Sequence, residues 1–325
     1  MRFYDIFNGD ADGLCALHQL RLAEPRDAEL VTGVKRDIEL LARVEPARGD
    51  EIAVFDVSLE TNRPHLMRML DAGVRCRYFD HHFAAAIPRH PLLDAHIDTS
   101  SSVCTSLIVD RYLRGRYRAW AVVAAFGDNL REAALAAAAG LRLTPDELDV
   151  LRELGECLNY NAYGESLEDL HLHPAELYRR LRPYADPLEF ARQSPEFEML
   201  RRAYREDMER ARALPLRDAT SGCVVAFMPE EAWSRRASGA FANELSQRHA
   251  GRAVALLVRS GKGYRVSLRA PRNTASGIDV VAREFESGSG RTAAAGIHFL
   301  PEHDVDRLLE LLERTYPGTT PVSGN

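Results

Sequence analysis

Cys76-Arg77-Tyr78-Phe79-Asp80-His81-His82 decides how the rest of the chain is read. The run from Val74 to Phe79 reads as a strand, and it ends in an acid followed by two imidazoles. At the carboxyl end of a strand in an open α/β sheet, side chains project into the crevice where ligands bind. Two neutral imidazoles beside a carboxylate suit a divalent transition metal. A single Asp-His-His is more readily explained as a solvated strand end. Its meaning depends on what other strands bring to the same edge.

Working outward, the pattern repeats. Residues 2–7 read as a first strand, followed by the acidic turn Asn8-Gly9-Asp10-Ala11-Asp12-Gly13 and a helix over Leu14 to Leu22. Glu29 to Gly33 reads as a second strand. Glu51-Ile52-Ala53-Val54-Phe55 is a third, short and apolar as buried parallel strands are, and it runs into Asp56. A helix over Thr61 to Ala72 leads to the Asp-His-His strand, and Leu93 to Ile97 reads as one more. Strands alternating with helices imply a doubly wound, mostly parallel sheet. Ser100-Ser101-Ser102 is expected to cap a helix over Val103 to Tyr112, or to contact phosphate together with Thr105. Alanine-rich helices follow from about Trp120 to Gly140 and contain Asp128.

Length supports two domains, because single cores tend to stop growing at roughly 250–300 residues and the chain has 325. Residues 1–190 are expected to form the first domain, with a helical extension from about 144; 191–216 a helical linker; 217–325 a smaller α/β domain. In the linker zone the charged run Phe197 to Leu214 reads as an amphipathic helix ended by Pro215. From Ser221 onward strands return. Gly261-Lys262-Gly263 makes a tight turn that pairs Tyr264 to Arg269 with the strand before it. A helix over Ile278 to Glu286 precedes the glycine-rich stretch Gly288-Ser289-Gly290-Arg291, read as a loop whose amides form an anion nest.

The formal net charge of −6 argues against a general electrostatic grip on long duplex nucleic acid. Arginine greatly outnumbers lysine, which favours bidentate phosphate contacts. Cys15, Cys76, Cys104, Cys157 and Cys223 are odd in number and form no C-x-x-C pair. They read as reduced, buried thiols of a cytoplasmic protein. The opening residues read as a strand and not as a signal peptide, and no apolar run reaches the ~18 residues that imply a membrane span.

The acids now fall into place. Asp10, Asp12, Asp56 and Asp80 all follow strands, so a parallel sheet gathers them on one edge, and Asp128 is a further candidate. Each alone reads as a turn or cap residue. Together they repel one another unless cations neutralise them. The set Asn8-Gly9-Asp10-Ala11-Asp12-Gly13, Asp56, Asp80-His81-His82 and Asp128, in this order and spacing, resembles the motifs of the DHH phosphoesterase superfamily. That superfamily includes RecJ-type exonucleases, oligoribonucleases, cyclic dinucleotide phosphodiesterases, exopolyphosphatases and a class of inorganic pyrophosphatases. The resemblance extends to Val266-Ser267-Leu268-Arg269, to the helix through Ile278, and to Gly288 through Gly296, which are similar to the associated substrate-binding domain.

The resemblance implies two metal ions, usually Mn²⁺, with Mg²⁺ or Co²⁺ as alternatives. It implies that Asn8 and Asp10 hold the first ion, that Asp12, His81 and Asp128 hold the second, and that Asp56 bridges them. His82 is implied to face the substrate phosphate and protonate the leaving group, and Asp80 to orient His81. Metals ~3.5–4 Å apart are implied to hold a hydroxide for in-line attack on phosphorus. Two departures stand out. Asn8 replaces the usual histidine, which weakens the first site, and Arg291 stands where the family commonly has histidine after the glycines. Arginine grips phosphate but does not donate protons near neutral pH. With Arg269, Ser289, Gly290 and Ser102, it completes the expected phosphate contacts.

The expectation is a metal-dependent phosphodiesterase acting on dinucleotides or short oligonucleotides held between two domains. The partners are then a small phosphate-containing substrate, with no membrane and no long duplex; a homodimer is left open. The rival readings are an exopolyphosphatase and a nucleotide-binding protein without catalysis.

Overall fold

A computed structural model of the protein describes residues 1–220 and 222–317. Ser221, where the second domain's pattern was expected to begin, and residues 318–325 lie outside the described residues. The chain divides into two compact units, Met1–Ala203 and Tyr204–Asn325.

The first unit begins with β1 (Phe3–Phe7), α1 (Ala11–Ala23), β2 (Glu29–Val31), β3 (Glu51–Phe55), α2 (Leu59–Asp71), β4 (Arg75–Asp80) and β5 (Leu93–Ile97). The five strands form one parallel sheet in the order β2-β1-β3-β4-β5. Strand alternation sorts their side chains between two faces. Tyr4, Ile6, Ile52, Val54, Cys76 and Tyr78 share one core with Leu59, Leu66, Met69 and Leu70 of α2. The intervening residues face the other layer, where Phe55 and Phe79 stack with ring centroids 5.6 Å apart and Asp5 pairs with Arg21 of α1. Each buried leucine or phenylalanine contributes about 1.5–3 kcal/mol by leaving water. From β1 the chain goes to β2 on one side, whereas β3 lies on the other. The carboxyl ends of β1 and β3 therefore flank the topological switch point, where such sheets bind ligands.

A helical layer follows: α3 (Thr105–Tyr112), α4 (Arg118–Gly127), α5 (Arg131–Ala138), α6 (Pro145–Ala162), α7 (Pro174–Leu181), α8 (Pro187–Gln193) and α9 (Pro195–Arg212). Prolines open the last four, where a missing N–H costs nothing. Glycines let α4 and α6 cross backbone against backbone. A Cβ on Gly155 would lie 2.1 Å from the Val123 carbonyl oxygen, and one on Gly127 2.7 Å from that of Gly155.

The second unit takes over within α9, so the division falls inside a helix. It contains β6 (Leu216–Thr220), β7 (Cys223–Met228), α10 (Ala232–Arg248), β8 (Ala253–Ser260), β9 (Gly263–Arg269), α11 (Ile278–Arg283), β10 (Gly288–Arg291), β11 (Ala294–Pro301) and α12 (Val305–Thr315). Its mixed sheet runs β10-β11-β9-β8-β7-β6, with β7 and β8 parallel and the other pairs antiparallel. The glycine-rich stretch is not a free loop. It is the edge strand β10, which pairs Ser289 with Gly296 and Gly290 with Ala295.

All five cysteines are buried and unpaired with one another. Burial raises the thiol of Cys223 to about 12 and those of Cys15 and Cys104 well above their ordinary value. Among the described residues no helix is long and apolar enough to cross a membrane.

Candidate metal centre

The turn after β1 delivers the first two acids. Helix α1 starts at Ala11, three residues earlier than expected, because Asp10 caps it: one carboxylate oxygen accepts from the amides of Asp12 (3.0 Å) and Gly13 (3.1 Å). This puts Asp12 in the first helical turn. Its carboxylate meets the amino end of α3, accepting from the amides of Thr105 and Ser106 at 2.7 Å each. A helix amino terminus favours such an anion. Helix α3 therefore begins at Thr105 and not at Val103, with Cys104 as its uncapped first flank. Ser100 to Ser102 do not cap it, and Ser102 is exposed.

Asp56 follows β3 with a left-handed backbone, φ 57°. Few residues other than glycine adopt that region, aspartate and asparagine most readily. The conformation is held by the Asp56 amide donating to the Phe79 carbonyl (3.0 Å), and Thr105 Oγ1 donates to the carboxylate (3.1 Å). Asp128 sits at the break between α4 and α5, beside Asn129 at φ 60°.

The two histidines have different anchors. His81 Nδ1 lies 2.8 Å from the Val103 carbonyl oxygen. A carbonyl only accepts, so Nδ1 carries a proton, and Nε2 is the ring atom placed to ligate a metal. That atom lies 3.4 Å from Asp56 Oδ1 and 3.9 Å from Asp128 Oδ2. His82 Nδ1 lies 2.6 Å from Asp80 Oδ1, and the His82 amide donates to the same oxygen at 3.1 Å. Asp80 itself is fully buried, and its other oxygen accepts from the Leu59 amide at 3.1 Å. The resemblance implied that Asp80 orients His81. The structure corrects this: Asp80 orients His82, and a backbone carbonyl orients His81. The cause is strand alternation, which turns Asp80 toward the α2 face and away from the His81 ring.

Ligand atoms of Asp12, His81 and Asp128 lie within 4.8 Å of one another, as do those of Asp56, His81 and His82. The donor set suits a divalent ion. Three acids and an imidazole nitrogen converge there, and a bound cation would offset the repulsion among the carboxylates. Burial, with Asp10, Asp12 and Asp128 nearby, pushes the Asp56 carboxyl well above the usual range. Burial likewise raises Asp12, against the pull of His81 and helped by Asp128 and Asp10.

Asn8 does something else. Its side-chain oxygen accepts from the Asp10 amide (3.3 Å) and its Nδ2 donates to the Lys35 carbonyl (3.3 Å), so it builds the turn. Lys35, which the sequence reading missed, follows β2 on the same sheet edge. Its ammonium pairs with Asp10 Oδ2, and lies 3.1 Å from Asn159 Oδ1 and 3.5 Å from Asp128 Oδ1. Against its burial, which disfavours the charge, Asp10, Tyr163 and Asp128 hold the ammonium well above its ordinary pKa. Asp10 is also buried, yet Lys35 and the Gly13 amide keep its carboxyl below the usual range. A signal was present: the chain has only two lysines, Lys35 and Lys262, among 42 lysines and arginines.

The second unit holds the other expected contacts. Arg269 Nε donates to Asn243 Oδ1 at 2.8 Å, so part of its guanidinium is engaged on α10. Ser289, Gly290 and Arg291 lie on β10 and are exposed.

No family model matches the sequence. No curated protein matches it. Solved structures do. Exonuclease RecJ bound to manganese superposes with a TM-score of 0.62 at 17% identity, over 97% of this chain and 89% of that one. RecJ from Thermus thermophilus in complex with Mn²⁺ gives 0.63 at 18% identity, and there this chain spans 52% of the larger protein. The pGpG-specific phosphodiesterase PggH of Vibrio cholerae gives 0.57 at 14% identity, over 97% and 98% of the two chains. With its acids and histidines on the carboxyl edge of a 2-1-3-4-5 parallel sheet, the chain has the fold shared by RecJ and this phosphodiesterase, the fold that its DHH motifs implied.

Proposed function

We propose that the protein is a metal-dependent phosphoesterase that hydrolyses phosphodiester bonds in dinucleotides or short oligonucleotides. The observation that carries this reading is His81 Nε2 set 3.4 Å from Asp56 Oδ1 and 3.9 Å from Asp128 Oδ2, among carboxylates spaced to hold one ion. Such a donor set suits a divalent cation. Asp12, Asp56, His81 and Asp128 would hold a divalent ion, with Mn²⁺ as the first choice. When bound, that ion supplies a nucleophile at neutral pH and offsets the charge that develops on phosphorus.

The chain's own residues do the rest. The α3 amides fix the Asp12 carboxylate, and the Val103 carbonyl fixes the His81 tautomer. Asp80 holds His82 by Nδ1, so that a protonated ring presents Nε2 to the leaving oxygen and delivers its proton there. Arg291 and Arg269, with the backbone at Ser289 and Gly290, are the groups of the second unit suited to gripping a terminal phosphate. The net charge of −6 favours short substrates over long duplexes.

The test is a panel of linear dinucleotides with Mn²⁺, read as release of nucleoside monophosphates. Asp80→Asn is expected to lower kcat roughly 10²-fold with KM and Mn²⁺ uptake unchanged, because among the proposed catalytic groups Asp80 holds His82 alone. Release of nothing from any dinucleotide ends the proposed substrate class. Hydrolysis of polyphosphate alone selects the exopolyphosphatase. Dinucleotide binding without turnover, surviving Asp56→Ala, selects a binding role.

A further inference from the structure

The two-ion reading places a divalent metal against Asp10, and that is where the structure departs from it. The Lys35 ammonium sits among three oxygens: Asp10 Oδ2, Asn159 Oδ1 at 3.1 Å and Asp128 Oδ1 at 3.5 Å. An ammonium has three N–H donors, and here each has an acceptor. The Tyr163 ring lies 5.5 Å away and adds a cation–π contact. The position is built from the backbone outward. The Lys35 amide donates to the Ala162 carbonyl at the end of α6 (2.9 Å), and its carbonyl accepts from Asn8 Nδ2 (3.3 Å). The same α6 terminus supplies Asn159 and Tyr163.

A second ion at Asp10 would have to compete with these partners. One oxygen accepts two amides and the other holds the ammonium. Asn8 is committed to the turn through both side-chain atoms. The residue type fits the task as well. A compact tetrahedral ammonium suits three converging oxygens, whereas a planar guanidinium does not. This chain uses lysine at only two positions and arginine at its other basic ones.

We infer that Lys35 is a built-in cation that takes the place of the first metal ion, so that the protein works with one divalent ion and one ammonium. The inference rests on the metal-dependent reading above but concerns the number of ions, not the substrate. The Asp12, His81 and Asp128 group, with Asp56, holds the single ion. Lys35 neutralises Asp10 and supplies a fixed positive charge beside it.

The experiment uses the full chain stripped of metal, dialysed against Mn²⁺ with and without inorganic phosphate, and read by bound Mn²⁺ per chain and by Mn²⁺ electron paramagnetic resonance. The wild type is expected to bind one Mn²⁺ with the spectrum of an isolated ion under both conditions. Lys35→Ala opens the Asp10 position and is expected to bind two, with a spin-coupled spectrum. Two ions in the wild type overturn the inference, as does a folded Lys35→Ala that still binds one. If Lys35→Ala does not fold, the wild-type count and spectrum decide alone. None of these readouts needs turnover, so absence of hydrolysis would sink the proposed activity and leave the ion count standing.

Discussion

The two edges of the parallel sheet handle acids in opposite ways. At the amino edge, acids are matched by arginines of the same chain. Asp5 pairs with Arg21, Glu51 with Arg26 and Arg75, and Glu24 with Arg77. Arg21, Glu24, Arg26, Glu51, Arg75 and Arg77 line a cavity of about 290 Å³ together with Phe3, Leu20 and Leu93. Despite its size, it holds no unmatched charge among them. At the carboxyl edge, Asp10, Asp12, Asp56 and Asp128 converge, and Lys35 is the cation beside them. At the amino edge each of these acids has an arginine partner; at the carboxyl edge four acids stand beside one ammonium, that of Lys35. The cavity at the amino edge is lined by paired charges, whereas the crowded acids gather at the carboxyl edge.

Exchanging one acid at each edge is expected to break the comparison most sharply. Asp56→Asn keeps a residue that tolerates the left-handed backbone. It should lower turnover roughly 10⁴-fold, about 5 kcal/mol of barrier. In metal-free buffer the variant should be at least as stable as the parent, since a crowded carboxyl has gone. At the other edge Asp5→Ala strands a buried guanidinium. It should cost about 3–5 kcal/mol in denaturant titration and leave Mn²⁺ uptake unchanged. If Asp56→Asn destabilises and Asp5→Ala weakens metal binding, the assignment of edges is reversed.

Helix α1 joins the edges, with Asp10 and Asp12 at one end and Arg21 at the other. Between them, burial lowers His18 from 6.5 to about 4, against its bond to the Tyr184 carbonyl at 2.7 Å. The unfolded chain takes up this proton below pH 6.5, and the fold refuses it until about 4. Stability is therefore fully present above pH 6.5 and falls by about 3 kcal/mol on acidification through that window. Comparing wild type with His18→Gln by thermal melts from pH 7 to 4 isolates this loss, which the variant should lack. The smallest effect is expected at Glu51→Gln, which removes a half-exposed pair of ion bridges. A loss under about 1 kcal/mol, with activity untouched, fits a neutral structural edge.

Much of the first unit is legible in the sequence because buried parallel strands are short apolar runs that end in their functional acids. Glu51 to Phe55 followed by Asp56 is such a run, and it folds with the expected bounds. The second unit is less legible. Strand β10 is Gly288-Ser289-Gly290-Arg291, with no apolar alternation; its pairing with β11 makes it a strand. Strand β6 follows directly after Pro215 and is polar, so it reads as linker. In the site, the acids can be read in order but their partners cannot. That Asp80 serves His82 depends on the pleat of β4, and that Lys35 reaches Asp10 depends on where α6 ends. These are tertiary facts, and neither has a local pattern.

The central claim is that the carboxyl edge takes up a divalent cation. Its most direct test is a crystal soaked in Mn²⁺ and measured at an anomalous wavelength. The account predicts a strong anomalous peak within coordination distance of Asp12, Asp56, His81 and Asp128. An empty map at those residues at saturating Mn²⁺, or a peak at the arginine-matched amino edge instead, contradicts it.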